Sequence, residues 1–174
     1  MKNKKDASQN STVFWKMAKD YVDHRLPEIR KVSPNTVKAY RDSLNKYIDY
    51  LEAEKNIRRT DISFSDFNKS NIIDYLDWML NVRKYAYKTC NLRITAIHAL
   101  LEYAANENST DLMSIYLDAY SVKGLKVTAN PVEYFEEHQM KALLAAPNEK
   151  TRTGRRNQMM LILYYDTAAR ISEL

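Results

Sequence analysis

Apolar side chains return every three to four positions over several long stretches of this chain, the signature of amphipathic helices. From Ser11, residues Phe14, Met17, Ala18, Tyr21 and Val22 keep that spacing, and Pro27 is expected to limit a short first helix. Ser33 followed by Pro34 is an N-cap and first-turn signal. Behind it Val37, Tyr40, Leu44, Tyr47, Ile48 and Leu51 form one stripe, with Asn35, Lys38, Asn45 and Lys46 on the opposite, net basic face. Periodicity breaks over residues 56–70, and Ser70 is the expected cap of a third helix carrying Ile72, Ile73, Leu76, Met79 and Leu80, with Trp78 as a packing anchor. A fourth helix is expected from about Lys88, burying Cys90, Ile94, Ile97, Leu101 and Ala104 while Lys88, Thr89 and Arg93 lie well off that line. Residues 111–120 read as a shorter fifth helix.

The segment SVKGLKVTANP that follows has no helical period and reads as a linker over residues 121–133. Beyond it Met140, Leu143 and Leu144 predict a helix ending near Pro147, and KTRTGRRNQ reads as a basic turn around Gly154. The next helix contains seven consecutive apolar or aromatic residues, Met159 to Tyr165, a pattern that predicts burial on every side. Too little chain follows to cover it, and no C-cap is visible before Leu174, so the second domain is expected to be cut short.

Composition sharpens this picture. Two glycines and four prolines in 174 residues are far below average usage, which favours long helices over turn-rich β architectures. The single cysteine, Cys90, cannot form an internal disulfide. With no signal-peptide pattern and no apolar run near 18 residues, a soluble cytoplasmic protein is expected. Lys and Arg number 27 against 22 Asp and Glu, and the excess sits in residues 1–60, which hold 14 basic and 8 acidic side chains. Such a local positive field fits either a well-solvated helical surface or a polyanion partner, and charge alone does not choose between them. Residues 1–10 lack a continuous apolar pattern and read as a mobile basic arm. His24, His98 and His138 lack metal-ligand spacing, and no glycine-rich phosphate loop occurs, so neither a metal nor a nucleotide cofactor is expected.

SPNTVKAYRDSLNKYIDYL, YKTCNLRITAIHALLEYA and above all DTAARISEL (Asp166 to Leu174) give the chain its resemblance to the tyrosine site-specific recombinases of the phage-integrase type. The resemblance implies an all-α fold: a SAM-like helical bundle, the core-binding domain, over residues 11–120, and an incomplete helical start of the catalytic domain over 134–174. It places the family's first catalytic arginine on Arg170 and its acidic partner on Glu173. A guanidinium suits that role because two of its N–H donors can hold the nonbridging oxygens of a pentacoordinate phosphorane-like state. The family's tyrosine nucleophile and remaining catalytic residues would lie past Leu174, so the chain is expected to bind DNA without cutting it. Three positions depart from the family pattern: Ala168, where glycine is usual before the arginine, and Leu92 and His98, where basic residues are frequent.

Double-stranded DNA is therefore the expected partner, with other recombinase protomers beside it and no membrane or small-molecule cofactor. The expected contacts are Ser33, Asn35, Lys38, Lys88, Thr89, Asn91 and Arg93 in the helical domain, Lys123 and Lys126 in the linker, and Arg155 and Arg156 in the basic turn. The alternative is a helical protein-interaction module that self-associates, or pairs with a full-length recombinase, through the apolar helix at Met159 to Tyr165.

Overall fold

A computed structural model describes residues 4–108, 110–128, 133–170 and 173. The elements among them are all helical: α1 Lys4–Asp20, α2 Pro34–Lys55, α3 Lys69–Asn81, α4 Tyr87–Asn108, α5 Thr110–Tyr120, α6 Glu137–Ala145 and α7 Arg152–Thr167. A π-helical stretch, Tyr21–Ile29, prolongs α1, and two short 3-10 turns, Arg59–Asp61 and Phe64–Phe67, link α2 to α3. The chain divides into two compact units, Met1–Thr128 and Ala129–Leu174. No helix among the described residues is long and apolar enough to cross a membrane.

Helix α1 begins at Lys4, seven residues before the expected start, so the proposed basic arm of residues 1–10 is helical from Lys4 onward; residues 1–3 lie outside the described residues. Ser11, where the helical spacing was expected to begin, lies inside this helix. Its hydroxyl donates sideways to the Thr60 carbonyl at 2.6 Å, and the neighbouring Trp15 indole N–H donates to the Arg59 carbonyl at 3.1 Å. Pro27 stands inside the helical run, which ends two residues later at Ile29. Proline has no N–H to donate and its ring presses on the preceding turn, and here the chain widens into π geometry, with Arg30 N–H reaching the Arg25 carbonyl at 2.9 Å.

Helix α2 starts where Ser33 and Pro34 place it: the Ser33 hydroxyl accepts from the Thr36 N–H at 3.2 Å. The cap of α3 is Asn68, two residues before Ser70, because its side-chain oxygen accepts the Asn71 N–H at 3.0 Å. Of the apolar residues expected along α3, Ile72 and Met79 are buried while Ile73 faces outward.

The core of the first unit is aromatic. Tyr47 is fully buried, its ring centroid 4.8 Å from Phe67 and 5.0 Å from Tyr75, and Phe67 continues to Phe14 of α1 at 5.1 Å. Trp78 closes the row against Tyr50 at 5.3 Å, while its indole N–H donates to Glu54 at 3.0 Å. The expected line of α4, Cys90, Ile94, Ile97, Leu101 and Ala104, is buried throughout.

In the second unit the capping is local. Glu136 and Gln139 cap α6 reciprocally, and the Thr151 hydroxyl accepts the Gly154 N–H at 2.9 Å at the start of α7. The segment read as a basic turn is therefore mostly the first turns of α7. Gly154 serves a close approach there: a Cβ would stand 1.8 Å from the Asn148 carbonyl oxygen. Met159, Met160, Ile162, Leu163 and Tyr165 are exposed, so the burial expected on all sides of this helix is absent among the described residues. A C-cap does exist. Ala168 ends α7 in the left-handed region at φ 50°, a conformation glycine adopts without the Cβ penalty that alanine carries.

Two buried tyrosines give opposite expectations. The Tyr47 hydroxyl donates to the Asp66 carbonyl at 2.8 Å, whereas the Tyr21 hydroxyl is buried with no hydrogen-bond partner. Tyr47→Phe should lower unfolding free energy by about 1 kcal/mol, because the Asp66 carbonyl keeps its second donor from Asn71. Tyr21→Phe should be neutral or stabilising. Urea denaturation of the two variants checks the contrast, and equal losses would refute it.

Candidate nucleic-acid interface

The outer surface of α2 has a paired half and an unpaired half. Arg41 bonds Asp23 at 2.8 Å, Lys46 lies 3.5 Å from Asp49, and Lys55 bonds Asp74 at 2.5 Å. Arg59 binds both Asp49 and Glu52. Upstream of these pairs, Asn35 and Lys38 are exposed near the helix start. Ser33 is exposed too, but its hydroxyl is spent on the cap and lies 2.9 Å from the Thr36 hydroxyl.

A shallow groove runs between α2 and α4, with Ala39, Asp42, Ser43, Asn45, Lys46 and Asp49 on one side and Thr89, Leu92 and Arg93 on the other. It brings together two of the expected contacts, Thr89 and Arg93, and adds Asn45 and Lys46 to them. Lys88 is exposed one residue before Thr89. The two aspartates temper the groove's positive character, although Asp49 is already engaged by Lys46 and Arg59.

Arg93 stands over the Tyr85 ring with its Cζ 4.2 Å from the centroid, and Arg83 lies 5.9 Å from the same ring and 5.5 Å from that of Trp78. The Arg83 Nε donates to the Tyr85 hydroxyl at 3.4 Å. That hydrogen bond, with the second guanidinium beside it, holds the Tyr85 phenol below its ordinary pKa. Burial pushes Tyr75 the other way, up to about 12, against the pull of Arg93. Arg93 Nη1 is itself buried without a well-formed hydrogen bond. Arg83 and Tyr85, which are not among the expected contacts, join Trp78 and Arg93 in a cation–aromatic cluster.

Asn91 projects differently from its neighbours. Its Nδ2 donates to the Leu125 carbonyl at 2.8 Å, and its Oδ1 accepts the Leu125 N–H at 2.7 Å. The segment read as a linker is thus held against α4 at Leu125, while residues 129–132 of that linker lie outside the described residues. Lys123 is exposed with its Nζ 4.3 Å from the Tyr120 ring centroid, and Lys126 is exposed three residues on. His98 is half-buried, its Nε2 3.0 Å from the Ala119 carbonyl, and it links α4 to the end of α5. Leu92 is exposed.

In the second unit Arg155 and Arg156 are exposed on the first turns of α7, and Arg155 Nη1 donates to the Glu149 carbonyl at 3.0 Å. Arg170 and Glu173 come together. Arg170 Nη1 donates to Glu173 Oε1 at 3.0 Å, and Glu173 Oε2 accepts the Arg170 backbone N–H at 2.8 Å. The Arg170 side chain is 83% exposed, so its remaining N–H donors face solvent. Of DTAARISEL, residues 171, 172 and 174 lie outside the described residues. No cluster of three or more metal-ligating side chains occurs among the described residues.

Residues 19–108 match the phage integrase, N-terminal SAM-like domain family. A Sinorhizobium fredii protein named as an integrase/recombinase is 30% identical over 153 residues, an alignment that takes in 86% of this chain and 45% of that protein. The tyrosine recombinase XerC of Chlamydia caviae is 26% identical over 167 residues, with 86% and 50% covered. XerD of Vibrio cholerae is 29% identical over 151 residues, with 83% and 44% covered. The chain belongs to the phage-integrase family of tyrosine recombinases. It spans about half the length of the curated relatives it matches. No solved structure matches it. The α2–α4 groove of this recombinase-family chain falls inside the matched residues, whereas Lys123, Lys126 and the Arg170–Glu173 pair fall beyond them.

One titration follows from the packing. Burial, with Lys123 nearby, holds the His98 imidazole below its ordinary pKa even though the Ala119 carbonyl favours the charged ring. The unfolded chain takes up that proton first as pH falls below about 6.5, so stability is level above that value and declines below it. Denaturation midpoints measured from pH 7.5 to 5.5 should therefore fall in the native chain and fall less in His98→Gln. Parallel curves would show that His98 does not contribute.

Proposed function

We propose that this chain acts in site-specific DNA recombination by gripping duplex DNA as the amino-terminal part of a tyrosine recombinase. The observation that carries this reading is that Lys38 on α2 and Lys88 on α4 are exposed and in no ion pair among the described residues, each next in sequence to a residue that lines the α2–α4 groove, within the family-matched residues. Phosphate contacts from Lys38, Lys88, Lys123, Lys126, Arg155 and Arg156 position the chain on the duplex. Asn35, Thr89 and Arg93 are the side chains offered for closer contact, and Ser33 contributes by capping α2. Contacts to phosphate orient without reading sequence, which leaves any base discrimination to the polar residues of the groove.

Arg170 has the chemistry of a transition-state clamp. Glu173 holds one edge of the guanidinium, and the donors left free can meet two phosphoryl oxygens at once. Tyr21, Tyr47 and Tyr75 are core residues whose phenols are held in the neutral form by burial.

Fluorescence anisotropy with a labelled duplex, titrated from about 50 to 200 mM salt, tests the reading. Binding should weaken steeply with salt, and Lys38→Ala with Lys88→Ala should lower affinity and reduce the salt slope by about two. Absence of binding at the lowest salt would overturn it.

A second reading rests on a separate observation, the exposed apolar residues of the second unit. Tyr134 and Phe135 add to Met159, Ile162 and Tyr165 there, and contiguous apolar patches of several hundred Å² are uncommon on monomers. Self-association of this chain is the expected consequence. Light scattering should show mass rising with concentration, and Met159→Lys with Ile162→Lys should restore a monomer. A native chain that stays monomeric at high concentration excludes this reading.

A further inference from the structure

Residues 121–126 have no helical period and two lysines, the composition of a tether, yet they are held to the first unit at three points, one of them on α4. Val122 is buried and Leu125 packs against the core, so two apolar pegs face inward three residues apart. Lys123 and Lys126 take the positions after each peg and are exposed. The third point is Asn91, whose amide closes a two-bond ring on the Leu125 main chain at 2.8 and 2.7 Å. Gly124 lies directly over that amide: a Cβ there would stand 3.1 Å from Asn91 Oδ1 and 3.3 Å from its Cγ.

We propose that Asn91 is a positioning residue for DNA binding, a clamp that fixes residues 123–126 as a strap on α4 and so presents Lys123 and Lys126 as fixed charges beside the basic edge of that helix. This role rests on the DNA-binding reading above. An asparagine suits it because one planar amide supplies a donor and an acceptor side by side, matching the C=O and N–H of one residue of an extended backbone. Aspartate would lose the donor, and a hydrophobic residue would lose both. Two lysines on a free tether would have to be ordered each time a phosphate is met, whereas on a clamped strap that entropy has been lost already on folding. The amide spent on Leu125 also accounts for an asparagine among basic neighbours: Asn91 acts on DNA through the two lysines.

Two measurements on the full chain separate the possibilities. Hydrogen exchange reads the clamp directly, because the Leu125 amide is the one that Asn91 Oδ1 accepts. Asn91→Ala should lower its protection about tenfold or more while leaving the amides of α4 protected. Gly124→Ala, which pushes the strap off the amide from the other side and leaves α4 unaltered, should do the same and stands in should the first variant fail to fold. Salt-dependent anisotropy then reads the consequence. Lys123→Ala with Lys126→Ala should reduce the salt slope by up to two in the native background and by less than half that amount where the clamp is broken. Equal reductions in both backgrounds would overturn the positioning role, as would weaker DNA binding in Asn91→Ala with Leu125 protection unchanged, the mark of a direct contact. If Leu125 protection falls but the native chain binds no duplex, the DNA reading itself fails and takes the role with it, though not the clamp.

Discussion

The first unit is arranged around one fully buried ring. Tyr47 sits midway along α2 and meets Phe67 of the second 3-10 turn, Tyr75 of α3 and, through Phe67, Phe14 of α1. Its hydroxyl, deep in this apolar surrounding, would be costly unpaired, and the Asp66 carbonyl satisfies it. These contacts fix the rotation of α2 about its own axis. With Tyr47, Leu44, Ile48 and Leu51 turned inward, helical geometry leaves Lys38, Asn45 and Lys46 on the outer side. The direction of the basic face is thus a consequence of core packing, with no interaction among the lysines required to set it.

Pairing then decides how much of that face acts as a field. The carboxyl-terminal half of α2 and the turn after it gather Lys46, Lys55 and Arg59 onto Asp49, Glu52 and Asp74. Exposed ion pairs of this kind add little to stability, but they cancel charge over the few ångströms on which a phosphate would be recognised. The residual positive field moves toward the amino-terminal part of α2 and the start of α4. Counting lysines and arginines in residues 1–60 locates the excess; only the geometry shows which cations remain to use it.

Helices α2, α3 and α4 are legible because each carries a one-sided pattern, and the start of α2 is legible to the residue because Ser33 and Pro34 are local signals whose effect does not depend on distant contacts. The spacing of Arg170 and Glu173 belongs to the same class, three residues apart and within reach on any turn. The misreadings share a cause as well. Ser70 reads as the cap of α3 and Gly154 as the centre of a turn, but each position is decided by a partner that the local pattern does not show: the Asn71 N–H held by Asn68, and the close approach of Asn148. Asn91 is the extreme case. Its partner lies 34 residues away and uses only main-chain atoms, so no residue type marks it.

The second unit depends on the opposite balance of forces. None of the buried hydrophobic residues of the described chain belongs to it, so α7 is shaped by what lies along its own length. Thr151 caps its start, Arg155 and Gln158 reach back to Glu149, and Thr167 Oγ1 donates to the Leu163 carbonyl in the last turn. Ala168 then turns the backbone left-handed, and two residues on the Arg170 N–H donates to Glu173 Oε2. The glycine usual in the family at this position has a physical explanation in that turn, and alanine keeps the conformation at a modest conformational cost. Because the carboxylate of Glu173 holds the main chain and the guanidinium of Arg170 together, one side chain sets both where the arginine starts and where its fork points. An exposed ion pair contributes little to folding, so the effect of this one is on where the guanidinium points, with its remaining donors turned to solvent.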